Sequence, residues 1–198
     1  MMAPAPPAWA DTWLRLLLPA RDRETVSGDL MEEYRESVRP TRSQLAADAW
    51  YVGQVSRFAW RIGLWALLLA TLYVGRTIWD WFAPTTNFAP RAQMTTLTMI
   101  STLLVIGASS RLRTQSVTAG IVSTASALLV AAIVDVVAIA AIYWNWRSAE
   151  LVANINGSGG LQEALTLPIM MIVPGTIIGT LGAVIASFRR PSKKRSAD

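Results

Sequence analysis

With no Cys and no His in its 198 residues, this chain has no thiol nucleophile, no disulfide, no imidazole base and none of the commonest transition-metal ligands. What remains for chemistry is its carboxylates and guanidiniums, and two of these sit where charge is costly. Asp135 lies inside the apolar run Val130–Ala141, where an acid costs roughly 3 kcal/mol or more unless it meets a partner, a water-filled cavity or a proton. Arg76 interrupts a second apolar block. With a helical rise of ~1.5 Å per residue, Asp135 falls ~8 Å to the outer side of the middle of its block and Arg76 ~7 Å to the outer side of its own. Two roles follow from this. Asp135 could serve an ion- or proton-coupled pathway, or it could pair with Arg76 and fix helix packing. A single carboxylate makes a poor relay, so the pairing is the expectation. Asp80, four residues after Arg76, competes for the same guanidinium.

The acidic group Asp29, Glu32, Glu33 and Glu36 has the residue types of a metal or general-base site. At helical spacing it alternates with Leu30 and Tyr34, as the solvated face of one helix does. No Walker motif, dinucleotide fingerprint or nucleophile elbow occurs. The chain is therefore expected to be no enzyme, with no catalytic residue, metal or cofactor.

The elements that must position these charges are four long apolar blocks, about residues 61–82, 94–110, 117–142 and 165–188. The first, third and fourth are long enough to cross a hydrocarbon layer of ~30 Å. The second is rich in Thr and Ser and spans ~25 Å, with Pro90 suited to open it a turn earlier. The third ends in Tyr143, Trp144 and Trp146, as an interfacial belt would. The fourth carries Pro168 and Pro174, which predicts a kink near Met170. Its Gly175, Gly179 and Gly182 offer a smooth face for close helix packing, inside the chain or in a homodimer. Asn156-Gly157-Ser158 matches a glycosylation acceptor, but the stretch Asn154 to Gly160 reads as a turn.

Lys and Arg counts orient the blocks. Eight lie before or at the start of the first block (Arg15, Arg21, Arg23, Arg35, Arg39, Arg42, Arg57, Arg61), Arg111 and Arg113 follow the second, and five lie after the fourth (Arg189, Arg190, Lys193, Lys194, Arg195), against Arg91 and Arg147 on the other side. The positive-inside rule then places both termini in the cytoplasm and requires an even number of spans. The pI near 10.2 is explained by these flanks, which argues against nucleic acid as a partner.

The first residues, up to Ala20, carry Pro4, Pro6, Pro7, Asp11 and Arg15 and do not read as a signal peptide. Residues 1–8 are expected to be flexible, and 9–57 to form short amphipathic helices. Trp9, Trp13, Leu16 and Leu17 make one stripe and Val26, Leu30, Tyr34 and Val38 another. A third, capped by Ser43, carries Leu45, Ala49 and Val52. So few residues make a marginal core, which marks Trp13, Leu30 and Tyr34 as candidate partner-docking residues.

The string Trp13-Leu-Arg-Leu-Leu-Leu-Pro19, then Arg23-Glu24, Gly28-Asp-Leu-Met-Glu-Glu-Tyr34, and Trp50-Tyr51 with Gln54 resembles the permease prefix domain. That domain precedes bacterial ABC-type permeases of the macrolide-exporter kind and also occurs on short stand-alone membrane proteins. The region is more loosely similar to the helical domain of membrane proteins encoded beside PadR-type repressors. The resemblance covers residues 9–54 and implies a cytoplasmic contact with a protein partner. The chain departs from the full permeases in having no large extracytoplasmic domain between spans.

The expectation is thus an all-α chain. A small helical cytoplasmic domain (9–57) precedes a four-helix transmembrane bundle (58–188) and a basic cytoplasmic tail (189–198). It would sit in the bacterial inner membrane, act through interaction of its prefix domain with a cytoplasmic protein, and be able to form homo-oligomers. The alternative is a small transporter or permease subunit with Asp135 in its pathway.

Overall fold

The computed structural model describes residues 5–19 and 21–188; the basic tail, 189–198, lies outside them. The described residues form α1 (Ala8–Leu17), α2 (Arg23–Glu33), a π-helical turn (Tyr34–Val38), α3 (Gln44–Phe82), α4 (Ala89–Thr114), α5 (Val117–Asn145), α6 (Ala149–Gly157), α7 (Gly160–Met170) and α8 (Ile172–Phe188). No strand occurs among them. The fold is all-α, and α3, α4, α5 and the pair α7–α8 are each long and apolar enough to cross a membrane. The chain is in this sense a multi-pass membrane protein.

Ser43 caps α3 by accepting a hydrogen bond from the Ala46 amide at 3.4 Å. From there the helix runs 39 residues without a proline, so the third N-terminal helix and the first span are one element. The second span is longer than its Thr- and Ser-rich block suggested. Ala89 and Pro90 open it, and it continues to Thr114, where Gln115 ends it in the left-handed region at φ 60°. Thr95, Thr98 and Thr102 each turn the hydroxyl back to the carbonyl four residues earlier, which hides it from lipid.

The expected kink in the fourth span is a break at Met171, between α7 and α8. Pro168 has no N–H to give the carbonyl of Ala164, four residues back. The Tyr73 hydroxyl of α3 supplies the missing donor at 3.2 Å, so a neighbouring helix covers the freed group.

Small residues let the bundle close. On α5 the inward face is Gly120, Ser123, Thr124, Ala127, Ala131 and Asp135. Gly175, Gly179 and Gly182 of α8 are all buried against it and against α4. A Cβ on Gly179 would strike the Thr124 side chain, and one on Gly182 the backbone of Leu104. The glycine face is thus used within the chain rather than left open for a second copy. Gly107 of α4, unremarkable in the sequence, is its counterpart, because a Cβ there would strike the Gly179 carbonyl.

The N-terminal head (α1, α2, the π turn and the start of α3) closes over its own core of Ala10, Leu14, Leu18, Tyr34, Val38, Ala47, Tyr51 and Val55. Two stripes differ in phase from the sequence reading, while Val26, Leu30, Tyr34 and Val38 all face the core of the head. On α1 the buried positions are Ala10, Leu14 and Leu17, while Trp9 is exposed. On α3 they are Ala47, Tyr51 and Val55, while Leu45 and Ala49 face outward. In both cases an alanine faces inward where helices approach closely, and a scale of hydrophobicity misses it. On α2 the four-residue repeat outruns a turn of about 3.6 residues. The π turn, with the Arg39 amide bonded to the Tyr34 carbonyl at 2.9 Å, brings Tyr34 and Val38 both inward.

Candidate functional site

At the end of the bundle away from the head, Arg76 does not reach Asp135. Its Nε lies 3.3 Å from Asp80 Oδ2, one turn along α3, while Arg91 of α4 approaches Asp80 Oδ1 at 3.4 Å. The expected Arg76–Asp135 pair is therefore replaced by an Arg76–Asp80–Arg91 triad. The local i,i+4 contact needs no second helix to hold it. Arg91 also donates to the Ala83 carbonyl at 2.8 Å and stacks over Trp79, tying the C-terminus of α3 to the start of α4. Asp80 is the acceptor on which both cations converge, so none of the three charges is left alone near lipid.

Asp135 is buried, and its Oδ1 has no hydrogen-bond partner among the described residues. It stands on the packed face of α5 between Ala131 and Ile139, within electrostatic reach of Tyr73. Two of the cavities among the described residues open on the bundle. One, of about 280 Å³, is an apolar groove between α3 and α5. The other, of about 750 Å³, lies at the head end between α3 and α4. Asp135 lines neither.

In the head, the residues marked for docking turn out to be structural. Tyr34 is fully buried, and Trp13 and Leu30 pack against the same cluster. Tyr34 is thus closed to a partner, while Trp13 and Leu30 are half-buried and keep part of their surface exposed. Tyr34 donates a 2.6 Å hydrogen bond to Asp48, and Gln44 donates to the same carboxylate oxygen at 2.9 Å. Burial first, then this contact, pushes the Tyr34 hydroxyl above its ordinary pKa.

Asp11 is a residue whose importance the sequence did not signal. Its Oδ1 accepts from Ser27 of α2 at 2.8 Å and from Tyr51 of α3 at 3.1 Å, and its Oδ2 from Arg15 at 2.9 Å. One carboxylate thus joins α1, α2 and α3. The Gly28-Asp29 neighbourhood and Trp50-Tyr51, noted as motif positions, fall on either side of it.

The acidic residues Asp29, Glu32, Glu33 and Glu36 are all exposed, as a solvated helix face requires. Asn154 to Gly157 are helical, part of α6, and the chain turns only at Ser158 and Gly159 (φ 107°). The turn expected over Asn154 to Gly160 is therefore shorter than its composition suggested. Ser148 caps this helix, Leu151 and Ile155 bury it against Trp81 and Ile139, and Asn154 donates to the Trp81 carbonyl at 3.0 Å.

Comparison with models of protein families, with characterised proteins and with solved structures yields no match to this chain.

Proposed function

We propose that the chain is a non-enzymatic protein of the bacterial inner membrane, both termini in the cytoplasm, that acts through contact of its N-terminal head with a protein partner. The resemblance of residues 9–54 to the permease prefix domain suggests the role, and the distribution of basic residues supports the orientation. The observation that carries the reading is the way the head is mounted. Leu17 of α1 belongs to the core of the bundle, together with Ile62, Leu69, Leu103 and Ala127, while Trp13 touches both that core and the core of the head. A spacer would need no such joint. A head that reports on, or is held by, the spans does.

With Tyr34 buried and Trp13 and Leu30 packed against the core of the head, the surface fully open to a partner is the exposed acidic face of α2 and the π turn. Its chemistry suits a basic partner surface. The test is a photo-crosslinking amino acid placed at Glu32, Glu36 or, as a buried control, Ala47, in cells bearing native membranes. The expected result is one discrete adduct from the acidic face, lost from the Glu32 probe when Glu33 and Glu36 are replaced by Lys. Absence of any adduct from the exposed positions overturns the reading.

A second reading, a small transporter, is favoured by the unpartnered oxygen of Asp135. Against it stands the packing of Asp135 outside both cavities. Proteoliposomes loaded with a pH-sensitive dye separate the two: proton flux that disappears in Asp135→Asn would establish the second.

A further inference from the structure

The cavity of about 750 Å³ at the head end has a composition that none of the roles above uses. Its walls are Trp60, Leu64 and Leu68 on α3 and Ser110 and Arg113 on α4, with Ser123 of α5 as its floor. Arg61 stands at the mouth, its guanidinium 5.4 Å above the Trp60 ring. Arg113 faces it from the other wall, close enough for the two like charges to feel one another. Neither has a carboxylate within ion-pair distance among the described residues. Two cations facing each other across a cleft without a counter-ion repel and invite an anion. The buried hydroxyls of Ser110 and Ser123 make no side-chain hydrogen bond among the described residues, so donors are in place beside the guanidiniums.

Below this polar mouth the cleft turns apolar. Leu64 and Leu68 lie one and two turns deeper along α3 and are exposed on its outer side, so the cleft opens sideways along a helix long and apolar enough to cross a membrane. A ligand that fits has a phosphate-like anion at one end and hydrocarbon at the other, in register with the bilayer. We propose that this cleft is a binding site for an anionic diacyl phospholipid of the leaflet on the head side. Its phosphodiester would lie between Arg61 and Arg113, and an acyl chain along Leu64 and Leu68. Basic pockets between spans bind anionic lipid headgroups by their charge, and the serine hydroxyls here can add hydrogen bonds to it. Arginine suits the task because its planar fork meets two phosphate oxygens at once.

The full chain in detergent, titrated with phosphatidylglycerol or with phosphatidylcholine of the same acyl chains, tests this by intact-mass detection of bound lipid. Phosphatidylglycerol is expected to bind roughly tenfold or more tightly, a preference that two headgroup arginines can supply. Arg61→Gln with Arg113→Gln removes the preference, while the equally charge-depleted Arg42→Gln with Arg57→Gln keeps it. Should the first variant fail to fold, Ser123→Leu, which fills the floor without changing charge, is expected to weaken phosphatidylglycerol by a similar factor. Equal binding of the two lipids overturns the proposal. So does equal loss in the control variant, retention of binding in Ser123→Leu, or full displacement by glycerol phosphate at the same concentration, which would make the cleft a site for a soluble phosphate.

Discussion

The Tyr73 hydroxyl meets the Ala164 carbonyl at 3.2 Å, and that carbonyl is the one that Pro168 leaves without a helical donor. The contact is conditional on the proline. Tyr73→Phe should lower stability in detergent by about 1 kcal/mol, within the range of hydrogen bonds between spans. In a Pro168→Ala background residue 168 regains its N–H, so the same substitution should cost clearly less. Unfolding titrations of the four proteins measure the coupling, and additive losses would show that the hydroxyl serves something other than the freed carbonyl.

The glycine contacts differ in what they would meet, and this ranks their substitutions. At Gly107 an added Cβ strikes the backbone carbonyl of Gly179, which can move only if a helix moves; at Gly175 it meets the Leu128 Cδ1 at 2.7 Å, the end of a flexible side chain. Gly107→Ala should therefore cost about 2–3 kcal/mol, near the upper end for overpacking, and Gly175→Ala less than about 1. Thermal unfolding of the two variants checks the order.

The two buried acids should respond in opposite ways. Asp80 holds Arg76 and Arg91 together, so Asp80→Asn leaves two cations weakly paired and should destabilise the far end of the bundle by about 1–3 kcal/mol. Asp135 has no counter-ion within ion-pair distance among the described residues and an oxygen without a partner. Asp135→Asn should leave the melting temperature unchanged or raise it. A lower melting temperature in Asp135→Asn than in Asp80→Asn would reverse this assignment.

Tyr34 gives the head a pH signature. Its pKa is raised by burial and by Asp48, so folding favours the protonated hydroxyl. The contribution is complete below an unfolded tyrosine pKa of about 10 and is lost as pH climbs from there through the higher folded value. Head stability, followed by limited proteolysis between Pro40 and Gln44, should fall over that alkaline range in the parent chain. It should fall less in Tyr34→Phe.

Much of this architecture was legible in the sequence. The four apolar blocks, the break beside Pro168 and Pro174, the Ser43 cap and the solvated acidic face each follow from strong local physics. What escaped reading depends on the third dimension. Trp9 offers far more apolar surface than Ala10, yet alanine is what fits where α1 lies against its neighbours, so the stripe rotated by one residue. Arg76 and Asp135 matched in depth, but depth says nothing of the angular position of either residue on its helix, and Asp80 had the advantage of being one turn away. Asp11 gave no signal because its partners, Ser27 and Tyr51, are 16 and 40 residues distant. The Arg61–Arg113 cleft was hidden for a related reason: each arginine was accounted for as an ordinary flanking charge, and only their convergence sets them apart.

The unbroken length of α3 sets head and bundle in a fixed phase. At ~1.5 Å per residue its 39 residues reach about 58 Å, well beyond the hydrocarbon layer. Between Tyr51, which faces the interior of the head, and Ile62, which faces the interior of the bundle, there are few residues and no proline. Each residue added or lost there would turn the head by about 100° and shift it ~1.5 Å along the axis. The spacing between those two positions therefore works as an angular setting. It decides which way the acidic face looks and whether Leu17 can reach the bundle at all, so change in length there should be tolerated far less than change in residue type.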